Sequence, residues 1–323
     1  MELLEPPESD TELLLHPKTR ADVDGLLARS ACEGGFLLTG PKGQGKATLA
    51  YALAEALLAG HEQIGQSAEK VRALIKAGAH PDLLTLRRGV NEKTGKLRQE
   101  IDVDAVRAVI GRLQQTSTTG RRVVIVDLAD DLGRAAANSL LKVLEEPPHG
   151  TCLLLLSLAP SRLLPTIVSR CRRIVVRAPE EGSLVPWLIR HGEVSESQAQ
   201  DIARESRCAP GSSLRLAAGE WQDATALADA LLDAATTGTD LLKASRGFGG
   251  KGAELVAEDA AGLIIRRLAQ RAMDHAGTDE GRSALDAHDA AKAVFDQAGT
   301  ADPAQTAYIA GLAIRKAQSG AAA

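Results

Sequence analysis

The chain has 323 residues, of which 44% are hydrophobic and 25% are charged. This composition is typical of globular proteins and excludes disorder of the whole chain, while the length favours two or three domains. The formal net charge of −4 excludes a bulk polycation, so nucleic acid would have to be bound through a local basic patch.

Short apolar segments with the length of buried strands recur through the first half of the chain. One amphipathic helix, predicted over Thr19–Ser30, precedes them. The predicted strands are Phe36–Thr39, Leu83–Leu86, Val123–Asp127, Cys152–Ser157 and Arg173–Val176.

Helical patterns separate these strands. One covers Ala47–Leu58, and a second covers Val103–Gln115 with Asp102 as its predicted N-cap. A third, Arg134–Glu146, is stopped by two prolines. Because apolar strands that are spaced by helices form a parallel sheet covered on both faces, the sequence predicts an α/β fold with five parallel strands.

The strand pattern ends after Pro179, and the remainder of the chain is predicted to form helices rich in Ala and Leu. A small helical segment covers residues 180–219 and includes the motif GSSLRLA. A longer helical region follows from Glu220, with breaks at Gly247–Gly252 and near Pro303.

The first predicted strand leads into a glycine-rich loop and then a helix. The sequence from Gly40 is GPKGQGKAT, which matches the G-x-x-x-x-G-K pattern of a phosphate-binding loop. Gly40, Gly43 and Gly45 would let backbone N–H groups surround phosphate oxygens at the start of the helix. Lys46 would reach the β- and γ-phosphates, so the loop predicts a nucleotide-binding fold.

Two groups that ATP-hydrolysing enzymes use are replaced in this sequence. Ala47 follows Lys46 where a Ser or Thr hydroxyl would bind Mg²⁺, and Thr48 comes one position late. The strand VVIVD ends in Asp127 as a Walker B strand does, but Leu128 follows where hydrolysing AAA+ enzymes have a glutamate that orients water. We therefore expect weak binding of ATP or ADP and no intrinsic ATPase activity.

The four cysteines are isolated in the sequence, at Cys32, Cys152, Cys171 and Cys208. None has the CxxC spacing of a structural zinc site, so no zinc is expected. The N-terminus lacks a cationic region, and no stretch approaches the roughly 20 apolar residues that span a bilayer. These observations predict a cytoplasmic protein.

Two longer motifs resemble a known family. NSLLKVLEEPP at 138–148 resembles the N-(A/S)-L-L-K-x-L-E-E-P-P helix end of bacterial clamp-loader subunits. LLPTIVSRC at 163–171 resembles their L-P-T-I-x-S-R-C segment. Together with the degenerate phosphate loop, these motifs make residues 30–180 resemble the delta-prime subunits of the bacterial DNA polymerase III clamp loader.

The resemblance implies an AAA+ architecture in three parts. It assigns residues 1–179 to a RecA-like nucleotide-binding domain, 180–219 to a helical lid and 220–323 to a helical collar that contacts neighbouring subunits. It also implies a ring with gamma/tau-like and delta-like subunits, which opens the sliding clamp at primed DNA. As part of that assembly the chain would belong to a DNA-directed DNA polymerase, which is a nucleotidyltransferase.

Residue roles are carried over from the same resemblance. Arg170 of the S-R-C motif would reach into the ATP site of a neighbouring subunit as an arginine finger. Ser157 would occupy the sensor-1 region, and Arg215 a place similar to sensor 2. The alternative is that Arg170 is a surface arginine paired with an acidic residue and has no role at a nucleotide.

The sequence departs from the family in one respect. Motor subunits and many delta-prime chains carry a four-cysteine zinc module after the helix of the phosphate loop, but residues 59–90 contain no cysteine. His61 and His80 are the histidines near that position. The basic segment 87–100 is predicted to be a solvated hairpin tip, with contact to DNA phosphates as the alternative.

Two other classes of function compete with a non-hydrolysing subunit. The first is a catalytically active gamma/tau-like ATPase, which Ala47 and Leu128 disfavour. The second is a P-loop kinase for small molecules, which the S-R-C motif and the helical second half of the chain disfavour.

Overall fold

The computed structural model describes residues 13–27, 33–59, 68–90, 98–115, 117, 120–218, 220–250, 253–298 and 301–320. These residues form two compact units, with the division between Leu214 and Arg215. The predicted division into three domains at residues 179 and 219 stays a prediction.

The N-terminal unit is built on five parallel strands in the order β2-β3-β4-β1-β5. All five predicted strands are confirmed, although Asp127 and Val176, the predicted last residues of the third and fifth strands, lie just after them. The strands are β1 Gly34–Thr39, β2 Leu83–Leu86, β3 Arg122–Val126, β4 Thr151–Ser157 and β5 Cys171–Val175.

Helices cover both faces of this sheet, as predicted. On β4 every residue is buried, with Leu154 in one hydrophobic cluster and Leu153 in the other. The nine helices that the structure describes in or beginning in this unit are α1 Pro17–Leu27, α2 Lys46–Ala59, α3 Ala68–Lys76, α4 Val103–Leu113, α5 Arg134–Glu145, α6 Pro165–Val168, α7 Glu181–His191, α8 Glu196–Glu205 and α9 Pro210–Ala217.

Helix α4 begins as predicted and ends two residues early. The Asp102 carboxylate accepts a hydrogen bond from the Asp104 N–H, which confirms the N-cap. At the other end, the Arg122 guanidinium donates to the carbonyl oxygens of Leu113, at 2.6 Å, and of Gln115. The strand arginine therefore satisfies carbonyls at the helix end that have no partner within the helix.

Other helix predictions differ from the structure at their ends, and one helix was not predicted. Helix α1 ends at Leu27 among the described residues, and positions 28–30 of its predicted range lie outside them. Helix α5 ends at Glu145, one residue before its predicted end, because Pro147 and Pro148 follow. Helix α3 was not predicted; its buried Val71 and Ile75 lie four positions apart on a short helix.

The C-terminal unit consists of helices, as predicted. Its helices are α10 Glu220–Thr237, α11 Leu241–Arg246, α12 Glu254–Asp274, α13 Asp279–Gln297 and α14 Pro303–Gly320. Their shared core includes Leu231, Leu263 and Ile314. The gap between α11 and α12 and the start of α14 at Pro303 confirm the two predicted breaks. No helix among the described residues is long and apolar enough to cross a membrane.

Candidate functional site

The phosphate-binding loop joins the end of β1 to the start of α2. Gly43 and Gly45 have φ values of +81° and +80°, in the left-handed region that favours glycine. A Cβ atom on Gly40 would lie 2.5 Å from the carbonyl oxygen of Val176. The three glycines predicted for this loop are therefore required by its backbone shape and packing.

The Lys46 side chain is folded onto the carbonyl oxygens of its own loop. Its Nζ donates to Gly40 O at 2.7 Å and to Pro41 O at 2.8 Å, and the residue is only 7% exposed. Burial lowers the pKa of Lys46 to about 8, an effect that Asp130 and Asp127 partly oppose. A phosphate would have to replace these two carbonyls as the partner of the ammonium group.

The start of α9 lies directly against the loop. The Gly211 N–H donates to Gly43 O at 2.8 Å. A Cβ atom on Gly43 would overlap the Ser212 hydroxyl, so the two backbones meet closely. The sequence did not predict this contact, although Pro210 at the first turn of the helix is a recognisable helix-start signal. The loop has the residue types that bind a phosphate group, but α9 occupies part of the space around Gly43.

The positions where a hydrolysing enzyme binds Mg²⁺ and activates water carry apolar side chains. Ala47 packs against the hydrophobic cluster beneath α2, while Thr48 is half-buried one position further on. Asp127 lies directly after β3, and burial raises its pKa against the opposing charges of Arg87 and Lys46. Leu128 follows in the left-handed region with φ of 65°. This arrangement retains one carboxylate but no hydroxyl at 47 and no acid at 128.

Asp130 is a residue of this site to which the sequence analysis assigns no role. Its carboxylate accepts hydrogen bonds from Ser157 Oγ at 3.0 Å, from Leu158 N at 2.9 Å and from Ala159 N at 2.9 Å. These bonds join the turn after β3 to the end of β4. Ser157, the predicted sensor, therefore already donates its hydroxyl proton within the chain.

Arg170 lies at the opposite end of the sheet from the phosphate loop. It immediately precedes β5, whose Cys171 aligns with Gly35 near the start of β1, whereas Val175 aligns with Thr39 at its end. At about 3.3 Å per residue, Gly35 and Thr39 are separated by about 13 Å along the strand. Arg170 therefore lies far from the phosphate loop of its own chain, and its side chain is 35% exposed.

Two contacts hold the Arg170 guanidinium. Its Nη2 lies 2.7 Å from Glu145 Oε1, and its Nη1 donates to Thr166 O at 3.1 Å. Both partners belong to the two sequence motifs that resemble clamp loaders, Glu145 to the helix end and Thr166 to the segment before Arg170. The acid that the surface-arginine alternative requires is therefore present.

Arg215 lies in the C-terminal unit, where its Nη2 is 3.1 Å from Asp259 Oδ1 of α12. The loop glycines, Lys46, Asp127 and Ser157 share the carboxyl edge of the sheet in the other unit. A sensor-like role for Arg215 stays a prediction.

No group of three or more His, Cys, Asp or Glu side chains within the described part of the chain could hold a metal ion. His80 is buried, its Nδ1 accepts from the Asp82 N–H, and burial lowers its pKa. Burial also raises the pKa of Cys171 to about 12. Cys32, His61 and residues 91–97 of the basic segment lie outside the described residues, and the expected lack of zinc stays a prediction.

Comparison with known proteins finds matches to subunits of one enzyme, DNA polymerase III. Residues 5–180 match the family model described as "DNA polymerase III, delta subunit". The chain is 37% identical over 223 residues to DNA polymerase III subunit delta-prime of Escherichia coli (strain K12), covering 67% of this chain and 65% of that protein. It is 38% identical over 179 residues to the delta-prime subunit of Pseudomonas aeruginosa, covering 54% and 53%. The chain thus spans about half to just under two thirds of the length of these relatives.

More distant similarity extends to other proteins of this type. DNA polymerase III subunit tau of E. coli (strain K12) is 30% identical over 229 residues, covering 66% of this chain and 33% of that protein. Among solved structures, a gamma subunit-related protein of Thermotoga maritima has a TM-score of 0.50 at 19% identity, covering 93% of this chain and 99% of the other. At that identity the structural match supports the fold alone.

Proposed function

Because the chain belongs to the delta-prime family of DNA polymerase III subunits, we propose that it is a clamp-loader subunit that activates ATP hydrolysis by a neighbouring subunit without hydrolysing ATP itself. Its proposed partners are gamma/tau-like and delta-like subunits, together with the sliding clamp and primed DNA that the assembled complex engages. In this proposal the phosphate loop is a structural remnant, and Arg170 is the group that acts on ATP.

The position of Arg170 is the observation that carries this proposal. Arg170 lies at the amino end of the parallel strands, whereas the loop of the same chain is at their carboxyl end. An arginine finger at that end of the sheet would contact a nucleotide that is bound to another molecule. A guanidinium stays charged and spreads its donors over a plane, which suits the charge on a transferring phosphoryl group.

The isolated chain is expected to show no appreciable ATPase activity, because it lacks both the Mg²⁺-binding hydroxyl at 47 and the water-orienting carboxylate at 128. Purified monomer is assayed with Mg²⁺ and radiolabelled ATP, with and without primed DNA. Turnover above about 0.1 per second, near the low end of ordinary enzyme rates, would favour the gamma/tau-like alternative instead.

Nucleotide binding by the isolated chain is expected to be weak and to fall as the pH rises from 7 to 9. The Lys46 ammonium attracts phosphate, and a pKa of about 8 means that it is charged below that pH and neutral above it. The terminal phosphate is already ionised at pH 7, so raising the pH adds little charge there. The loss is therefore at most about tenfold, the change in the charged fraction of such a lysine over this range.

Binding is measured by the fluorescence of mant-ADP at several pH values. Lys46→Met serves as the control, since it should bind more weakly and without this pH dependence. Equal pH profiles for the two proteins would contradict the role of Lys46.

A further inference from the structure

We propose that the Glu145 carboxylate positions the Arg170 guanidinium for contact with the nucleotide of a neighbouring subunit, an inference that rests on the proposed trans role of Arg170. Glu145 is a positioning residue in this account, because it acts through Arg170 and not on the nucleotide.

The two contacts of Arg170 restrain the plane of its guanidinium group. The carboxylate binds Nη2 at 2.7 Å, and the Thr166 carbonyl binds Nη1 at 3.1 Å. Partners on two different nitrogens limit rotation about the end of the side chain. Because a guanidinium has five N–H donors, donors remain for a phosphate after these two contacts are made.

Both sides of the Glu145–Arg170 pair are anchored in the fold. Glu145 is the last residue of α5 and is followed by the residues that end the helix. On the other side, the Arg170 N–H donates to Ile167 O at 3.1 Å in the turn after α6. The Glu145 and Arg170 side chains are thus attached to an ordered helix end and to a hydrogen-bonded turn.

Gly35 allows these two segments to approach each other. A Cβ atom on Gly35 would lie 2.6 Å from Leu144 Cδ2 and 2.9 Å from Cys171 Sγ. Leu144 precedes Glu145 and Cys171 follows Arg170, so the neighbours of both partners converge on one buried glycine. This packing explains physically why the two motifs, separate in the sequence, form one unit in the structure.

The pair lies partly in solvent, with side-chain exposures of 47% for Glu145 and 35% for Arg170. Such pairs contribute little to folding stability. An unrestrained arginine, however, samples many rotamers, and small errors in the placement of catalytic groups have large effects on rate. Loss of the carboxylate should therefore affect the finger and leave the fold unchanged.

The test compares four variants of the chain in the reconstituted clamp loader: Arg170→Ala, Glu145→Ala, Glu145→Gln and Glu146→Ala. Glu146 is the matched control, since it carries the same charge one residue further on and is exposed. The kcat and the KM for ATP of DNA-stimulated hydrolysis are measured after circular dichroism and gel filtration have verified folding and assembly. The double variant Glu145→Ala/Arg170→Ala completes a mutant cycle.

We expect Glu145→Ala to slow hydrolysis at the finger site roughly three- to tenfold, a smaller loss at that site than Arg170→Ala causes. The KM for ATP should stay unchanged. Glu145→Gln should lose less, because its amide oxygen still accepts a hydrogen bond, and Glu146→Ala should match the unmutated complex. The double variant should be no slower than Arg170→Ala alone.

The possible failures are distinguishable. If Arg170→Ala slows the complex while Glu145→Ala does not, the positioning role is wrong and the trans role of Arg170 stands. If Arg170→Ala itself has no effect, the proposed function fails and the inference fails with it. A faster Glu145→Ala complex, or a double variant slower than Arg170→Ala, would also overturn the positioning role.

Discussion

Replacement of Arg170 by alanine is expected to lower DNA-stimulated ATP hydrolysis and clamp loading by the reconstituted complex while leaving the chain folded and able to assemble. An arginine supplied in trans typically accelerates phosphoryl transfer by about 10³–10⁵-fold. That factor corresponds to roughly 4–7 kcal/mol of barrier at the one site that the finger serves. The complex contains other ATP sites, so the loss measured for the whole assembly should be smaller.

Two further variants make this prediction specific. Arg170→Lys should fail in the same way, because an ammonium group lacks the planar set of donors. Arg172→Ala is the matched control, since Arg172 is an exposed arginine two residues further on, in the edge strand β5. If Arg170→Ala complexes load clamps at the unmutated rate, Arg170 is a surface arginine paired with Glu145.

Replacement of Asp130 by alanine is expected to destabilise the N-terminal unit by about 2–3 kcal/mol, a range set by hydrogen bonds to charged groups. The change leaves the buried hydroxyl of Ser157 and the N–H groups of Leu158 and Ala159 without their shared acceptor. The expected loss corresponds to one or two such bonds, although three are removed, because water can reach the segment after β4, where Leu158 is exposed.

Asp131→Ala is the matched control for Asp130→Ala. The Asp131 carboxylate pairs with Arg88 Nε at 3.0 Å on a partly exposed surface, so its loss should cost about 0–1 kcal/mol. The free energy of unfolding is measured in urea from the fluorescence of Trp187, which is 2% exposed in this unit, with Trp221→Phe as the background. Equal destabilisation by the two substitutions would contradict the role assigned to Asp130.

The sequence was sufficient to predict the five strands and the glycine-rich loop because the patterns that specify them are local. A strand whose two faces are both buried needs apolar residues at every position, as in Cys152–Ser157, so it can be recognised from its own sequence. The glycines of the loop can likewise be recognised locally, because they adopt backbone angles that other residues disfavour. Local patterns likewise marked Lys46 and Asp127 as residues of a nucleotide-type site, whereas Ser157 came from the family resemblance. Family motifs added Arg170, which periodicity alone would have left as a surface residue.

Contacts between distant segments could not be predicted from the sequence. The approach of Gly211 to Gly43 joins residues that are far apart in the chain, and nothing in either segment specifies its partner. The three hydrogen bonds of Asp130 likewise depend on where β4 ends in space. The Glu145–Arg170 pair was present in the sequence as two separate motifs, but only the close packing around Gly35 brings them into contact.

In the proposed function, this chain acts on ATP held by another subunit. The most direct measurement adds increasing amounts of the purified chain to the remaining clamp-loader subunits and records the initial rate of ATP hydrolysis on primed DNA. We expect the rate to rise to saturation with the unmutated chain and to a clearly lower plateau with Arg170→Ala, although gel filtration finds both incorporated. A rise of equal size with both proteins would contradict this expectation.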